Sequence, residues 1–311
     1  MHSNKTIKIS VLMSVHNGSD YLKEAIQSVL DQTFEDFEFI IVDDGSTDET
    51  AEIIKGFSDE RIVYINNEKN IGLTLSLNRA LSLAKGEYIA RIDADDVYTY
   101  QKLMLQSKFL DHNKSHGLVA SSTIRIDQTG KEIQKVSCKN RDLEICSLMV
   151  SENPFVHGSV MVRRDIVLKV GGYRDHFVTT QDFDLWVRIA EVSFTGAISD
   201  YLYLRRMHSE RIGVRNKEMQ KSFTKDVIVN LKLRALGGQD DFGYSIPGEY
   251  VSPEMKWIRN RWSLCVTNSS RSFLSAWLQP EVYLNSGRSP LAVVIALYFI
   301  SYMKARRRLS S

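Results

Sequence analysis

Cysteine is scarce in this chain: three residues, Cys138, Cys146 and Cys265, with neither CxxC nor metal-ligand spacing. An odd, scattered set excludes a disulfide scaffold or a zinc module and suits buried thiols in a reducing compartment. Charge of one sign is equally lacking, with 40 Lys and Arg against 38 Asp and Glu for a net +2. No zinc-finger or RRM signature accompanies that balance, so nothing argues for nucleic acid as a partner. No GxGxxG follows the first apolar run and no GxxxxGK[ST] occurs anywhere, which disfavours a dinucleotide dehydrogenase and a P-loop NTPase. The first residues, Met1-His-Ser-Asn-Lys-Thr6, contain no apolar h-region, so no export signal is expected and the location reads as cytoplasmic. Long hydrophobic runs are absent too, since Leu291 to Met303 is 13 residues long and a spanning helix takes about 20.

What is present is a core. Of 311 residues 43% are hydrophobic, enough for one large domain or a domain with an extension. Ile7 to Val15, Phe37 to Val42, Arg61 to Ile65 and Tyr88 to Ile92 read as apolar strands. Between them lie helical stretches starting near Ser19 or Asp20, after Ser46 to Glu49 in capping-box spacing, and over Leu73 to Ala84. Strands apolar on both faces, alternating with helices, predict a parallel, doubly wound α/β sheet. Further on come a helix over 100–111, a strand over 118–126, a helix over 142–150, a strand over 160–163 and a strand over 201–206. From about Asn216 the pieces turn helical, basic and amphipathic, so the expected division is a domain over 1–215 and a helical extension over 216–311.

Ligands of such a sheet lie beyond the carboxyl ends of its strands, which puts His16-Asn17, Asp43-Asp44 and Asp93-Ala-Asp-Asp96 on one rim. Three carboxylates this close repel one another unless a hard cation such as Mg²⁺ or Mn²⁺ lies between them. A solvated acidic turn that caps the next helix is the alternative these residues leave open.

The motifs resemble those of the family 2 inverting glycosyltransferases of the GT-A fold. The matching stretches are Ser10-Val-Leu-Met-Ser-Val-His-Asn-Gly18, Ser28-Val-Leu-Asp-Gln-Thr33, Phe37-Glu-Phe-Ile-Ile-Val-Asp-Asp-Gly-Ser-Thr-Asp48, Asn70-Ile-Gly72, Ala84-Lys-Gly-Glu-Tyr-Ile-Ala-Arg-Ile-Asp-Ala-Asp-Asp96 and Gln181-Asp-Phe-Asp-Leu-Trp-Val-Arg188, in family order over residues 7–210. The resemblance implies that Ser14, His16, Asn17 and Asp44 hold the nucleotide of a sugar donor. It implies that Asp93 and Asp95 form the DXD element, with Mn²⁺ or Mg²⁺ on Asp95, Asp93 and His208. Asp182 would be the general base. Two positions depart from the pattern: His16 stands where Tyr is frequent, and Gln181 where Glu often precedes the base.

The implied reaction displaces a nucleoside diphosphate, UDP by preference, with the hydroxyl of a growing surface glycan or lipid-linked acceptor. A silent GT-A-like binding module is the alternative, and the retained Asp93, Asp95 and Asp182 argue against it. His157 and Gly158 could line the acceptor pocket, or His157 could be satisfied within its turn. Arg205 and Arg206 could hold phosphate or end a solvated strand. The 291–303 helix with Lys304-Ala-Arg-Arg-Arg308 suits either the surface of an anionic membrane or a seat on the main domain.

Overall fold

Every side chain of β1 (Ile9–Val15) and β2 (Phe37–Asp43) is buried, as a strand covered on both faces requires. In the computed structural model, which describes residues 7–209, 211, 216–235, 239–242 and 244, these two strands run parallel with Val15 opposite Asp43. β3 (Ile62–Asn66) extends the sheet beside β2, and β4 (Tyr88–Arg91) lies parallel to β1 on the other side. α1 (Ser19–Leu30), α2 (Thr50–Lys55) and α3 (Leu73–Leu83) connect them. The apolar stripe of α1, Leu22, Ala25, Ile26 and Val29, packs into one core with Val11, Met13 and Phe39.

Beyond β4 the sheet becomes mixed. Its order is β3-β2-β1-β4-β8-β6-β9-β5, where β8 (Met161–Arg163) is antiparallel to β4 and to β6 (His116–Ile126). β9 (Phe194–Arg206) runs parallel to β6, and the two-residue β5 (Val97–Tyr98) pairs antiparallel with it. β7 (Glu132–Val136) hangs on β6 as an exposed hairpin arm. α4 (Lys102–His112), α5 (Asp142–Met149), α6 (Arg164–Lys169) and α7 (Gln181–Val192) complete the layers.

Several elements differ from the sequence reading. β9 starts at Phe194 rather than Tyr201, because pairing with β6 carries it through Gly196 and the exposed Ser199 and Asp200. The capping box expected from Ser46 and Glu49 does not form. Ser46 Oγ accepts the Asn17 N–H at 3.0 Å instead, and Asp48 accepts both the Thr50 N–H at 3.1 Å and the Ser19 N–H at 3.2 Å. One carboxylate thus serves the starts of α1 and α2. Its pKa falls to about 2, because hydrogen bonds from Thr50 and Ser19 outweigh the opposing effect of burial.

All described residues belong to the first of two compact units, Met1–Ser263 and Leu264–Ser311. That unit includes α8 (Lys217–Ala235), which the sequence reading assigned to the extension. α8 is tied to α7 through buried ions: Arg234 binds Glu191 at 2.9 Å and Asp240 at 2.6 Å, and Arg174 reaches Asp240 at 2.7 Å and Asp184 at 3.3 Å. The pieces expected at 255–266, 273–278 and 291–308 lie outside the described residues. Among the described residues, no helix is long and apolar enough to cross a membrane.

Candidate active site

Ile92 closes the apolar run of β4, and the chain turns outward into Asp93, Asp95 and Asp96, whose carboxylate oxygens lie within 4.8 Å of one another. The three differ in their partners. Asp93 forms a tight ion pair with Arg91, a residue only 3% exposed. Burial works against ionisation of Asp93, but the Arg91 charge and hydrogen bond override it and hold the carboxyl well below the usual range. Asp96 is fully buried, accepting the Tyr203 hydroxyl at 2.7 Å and the Arg206 N–H at 2.7 Å. Its burial, then the Asp95 and Asp93 charges, push that carboxyl far above the usual range. Asp95 faces His208, whose Nε2 donates to its Oδ2 at 2.8 Å, and Arg211 stands 3.9 Å away. The His208 ring in turn lies 5.4 Å from that of Tyr21 on α1.

Arg206, one of two arginines the sequence left undecided, is 1% exposed and serves the backbone of this loop. Its Nε donates to the Asp95 carbonyl at 3.0 Å, its guanidinium reaches the Asp127 and Gln128 carbonyls, and Glu24 closes the charge. The acidic turn is therefore braced by β9, α1 and the β6–β7 turn together. It is not a solvated cap.

Asp182 stands in the first turn of α7, the one residue of that helix that is half-buried where the others are buried. Thr180 before it has φ +68°, and Asn17 in the first loop has φ +51°; they are the non-glycine residues with positive φ among the described residues. Strained backbone of this kind concentrates at functional sites. Asp182 accepts the Phe183 N–H at 2.8 Å and the Asn153 amide at 2.9 Å. Burial nevertheless raises its pKa, outweighing those hydrogen bonds and Arg91. Two buried side-chain atoms nearby in sequence, Gln181 Oε1 and Trp186 Nε1, have no hydrogen-bond partner, which leaves them capacity for a ligand.

His157 is buried, bonded to the Tyr173 hydroxyl at 2.9 Å and packed edge-on to Trp186. Burial, then Arg91, depress its pKa well below the ordinary value, so the ring is neutral. Gly158 lets Tyr203 pass, since a Cβ there would come within 2.0 Å of its hydroxyl oxygen. Both residues are thus buried against Tyr173, Trp186 and Tyr203. In the first loop, His16 Nδ1 donates to the Asp44 carbonyl at 2.9 Å, and Asn17 Oδ1 accepts the Thr47 N–H at 2.8 Å. Ser14, at the end of β1, is buried. Asp44 is 2% exposed and accepts from Asn67 at 2.7 Å, Ile71 N–H at 2.9 Å and Gly72 N–H at 2.8 Å. Its carboxylate thus pins the loop at 66–72, while its carbonyl orients His16.

The carboxylate oxygens of Asp93, Asp95 and Asp96 are of the kind that could hold a hard divalent cation, and His208 could add a nitrogen once Nε2 gives up its proton and its bond to Asp95. Sequence reasoning missed Arg91, Asn153 and Tyr203. A charged residue inside the apolar run Tyr88-Ile-Ala-Arg-Ile92 is the signal that could have found the first.

A family model for glycosyl transferase family 2 matches residues 10–171. An uncharacterized glycosyltransferase of Methanocaldococcus jannaschii is 38% identical over 185 residues, covering 58% of this chain and 63% of that protein. The O-antigen biosynthesis glycosyltransferase WbnJ of Escherichia coli is 34% identical over 185 residues, covering 58% of this chain and 71% of its own length. Among solved structures, residues 1–349 of S. aureus TarS in complex with UDP-GlcNAc superpose with a TM-score of 0.62 at 19% identity, covering 88% of this chain and 77% of that one. A mannosyltransferase of Pyrobaculum calidifontis in complex with GDP-Man and Mn²⁺ gives 0.55 at 17% identity, covering 95% and 80%. The α/β layers, the strand order and the family match together lead to one conclusion: the chain belongs to glycosyl transferase family 2, and it is a transferase of the GT-A fold.

Proposed function

We propose that the chain moves a sugar from a nucleotide sugar, a UDP-sugar by preference, to a hydroxyl of a growing surface polysaccharide or lipid-linked glycan, with inversion at the anomeric carbon. The observation that carries this reading is the pairing of an acidic cluster within 4.8 Å, braced from three sides, with a part-buried carboxylate of raised pKa on α7. Asp95, Asp93 and His208 would hold Mn²⁺ or Mg²⁺. That ion, when bound, supplies the positive charge that a departing diphosphate needs. Ser14, His16 and Asn17 border the nucleotide, and Asp44 acts on it through His16 and the 66–72 loop. Asp182 takes the proton of the acceptor hydroxyl as it attacks. Its raised pKa makes it a stronger base than a surface aspartate. The choice of UDP leans on the UDP-GlcNAc bound by TarS, and the acceptor class on WbnJ, a protein of O-antigen biosynthesis.

The test is release of nucleoside diphosphate from a panel of UDP-, GDP- and dTDP-sugars with Mn²⁺, before and after EDTA. Turnover of a UDP-sugar that EDTA abolishes is expected. Binding of nucleotide with no release from any donor, even with glycan extracts as acceptor, identifies a silent binding module instead.

A further inference from the structure

We infer that Asn153 is a positioning residue for the base: its side-chain amide holds the Asp182 carboxylate in one orientation and keeps it ready to take a proton. This rests on the reading of Asp182 given above. The amide is itself fixed from both ends. Asn153 Oδ1 accepts the Phe155 N–H at 3.2 Å, so the group left to meet Asp182 Oδ2, at 2.9 Å, is Nδ2, a donor. Pro154 follows and restricts Asn153 to extended backbone. The loop then enters the buried turn His157–Ser159, where the Ser159 carbonyl is bonded to Gln106 at 2.7 Å. Asn153 therefore cannot drift without disturbing a packed segment.

The second oxygen of Asp182 is held by the Phe183 N–H at 2.8 Å. With one hydrogen bond on each oxygen the carboxylate plane is set, yet each oxygen keeps a lone pair for an incoming proton. Arg91 of β4 and Asp93 in the turn after it, together with Tyr173 from the loop before α7, are near enough to act on the Asp182 charge. Arg91 and Asp93 are paired with each other and largely cancel. Asn153 is thus the side chain whose loss changes the base without changing the net charge around it. A hydrogen bond donated to an ionised carboxylate favours that form, so removing it raises the carboxyl pKa further.

Asn153→Ser and Asn153→Ala test the inference. A serine oxygen can still accept the Phe155 N–H but is too short to donate to Asp182, so Asn153→Ser isolates the lost contact while keeping the turn. The assay is diphosphate release from the best member of the panel, with water as acceptor, across pH. Both variants are expected to lose kcat roughly tenfold with donor KM unchanged. Their acid limb should move up by roughly one pH unit, the scale of a hydrogen bond to a charged group. Independently of turnover, carbodiimide labelling of Asp182, followed by mass spectrometry across pH, should show the same upward displacement, because only the protonated carboxyl reacts. Asp182→Asn is assayed alongside. Should Asp182→Asn keep wild-type kcat, the base assignment and this inference fall together. Should it lose kcat while folded Asn153→Ser keeps both the wild-type acid limb and labelling curve, the base stands and the inference about Asn153 is overturned.

Discussion

Asp93 and Asp95 are two residues apart on one turn, yet Arg91 makes them unequal by neutralising the first and leaving the second to His208. That difference was not legible in the sequence, which displays three carboxylates but not which cation reaches which of them. Arg91 ends the strand just before them, whereas Tyr203 and Arg206 of β9, and His208 just beyond it, arrive from about 110 residues away. Asp95→Ala is expected to abolish Mn²⁺-dependent binding of UDP in calorimetry while leaving metal-free binding alone. Unchanged Mn²⁺-dependent affinity would falsify the assignment of Asp95. Asp182→Asn should leave donor binding intact and lower turnover by roughly 10²-fold or more, the usual scale for a lost general base. The wild-type pH profile carries a sign of its own. A base works only when ionised and burial raises the Asp182 pKa, so activity should begin to fall, as pH is lowered, above the range of an ordinary aspartate. An acid limb at or below that range, measured at saturating donor, counts against Asp182.

Elements with strong periodicity were legible and those shaped by their neighbours were not. β1, β2 and the stripe of α1 follow from runs of Val, Ile and Leu, because burial on two faces or on one leaves a direct pattern in the residues. β5 has two residues and β7 is exposed along most of its length, so neither carries such a pattern. Gln181 to Arg188 is legible as a motif, but the reason α7 stays in place lies elsewhere in the chain. Asp184 is shared by Arg174 and Arg188, and Glu191 is bound by Arg234 of α8. These ions are buried, so removing one partner leaves an uncompensated charge in a dry site. Arg234→Ala should therefore cost about 3–5 kcal/mol in urea unfolding. Arg234→Met with Glu191→Leu should cost clearly less, because no lone charge remains at that contact. Equal losses in the single and double variants would mean that packing, not charge, makes the contact matter.

At the level of the whole molecule, buried ions link α7 to α8, beyond the boundary expected at residue 215. A composition shift near residue 216 marks where the pattern of the chain changes, but it cannot reveal that the next helix supplies Arg234 to a helix of the transferase core. A fragment ending at residue 215 would strip Glu191 of its buried partner and leave Arg174 without Asp240. We expect it to be insoluble or to melt without cooperativity. One ending at residue 263, where the first unit closes, should give a cooperative melt and Mn²⁺-dependent nucleotide binding. This pair also separates the two roles that the sequence leaves open for the last part of the chain. Leu291, Val294, Ile295, Tyr298 and Phe299 would contribute apolar transfer energy to a membrane surface. Lys304, Arg306, Arg307 and Arg308 would add about 1 kcal/mol each at an anionic leaflet. Salt screens the second contribution and not the first. Full-length protein should accordingly sediment with phosphatidylglycerol vesicles and be only partly released by high salt, while the fragment ending at residue 263 stays in the supernatant. If full-length protein also stays there, and the shorter fragment melts earlier or aggregates, residues 264–311 serve to stabilise the protein rather than to bind a membrane.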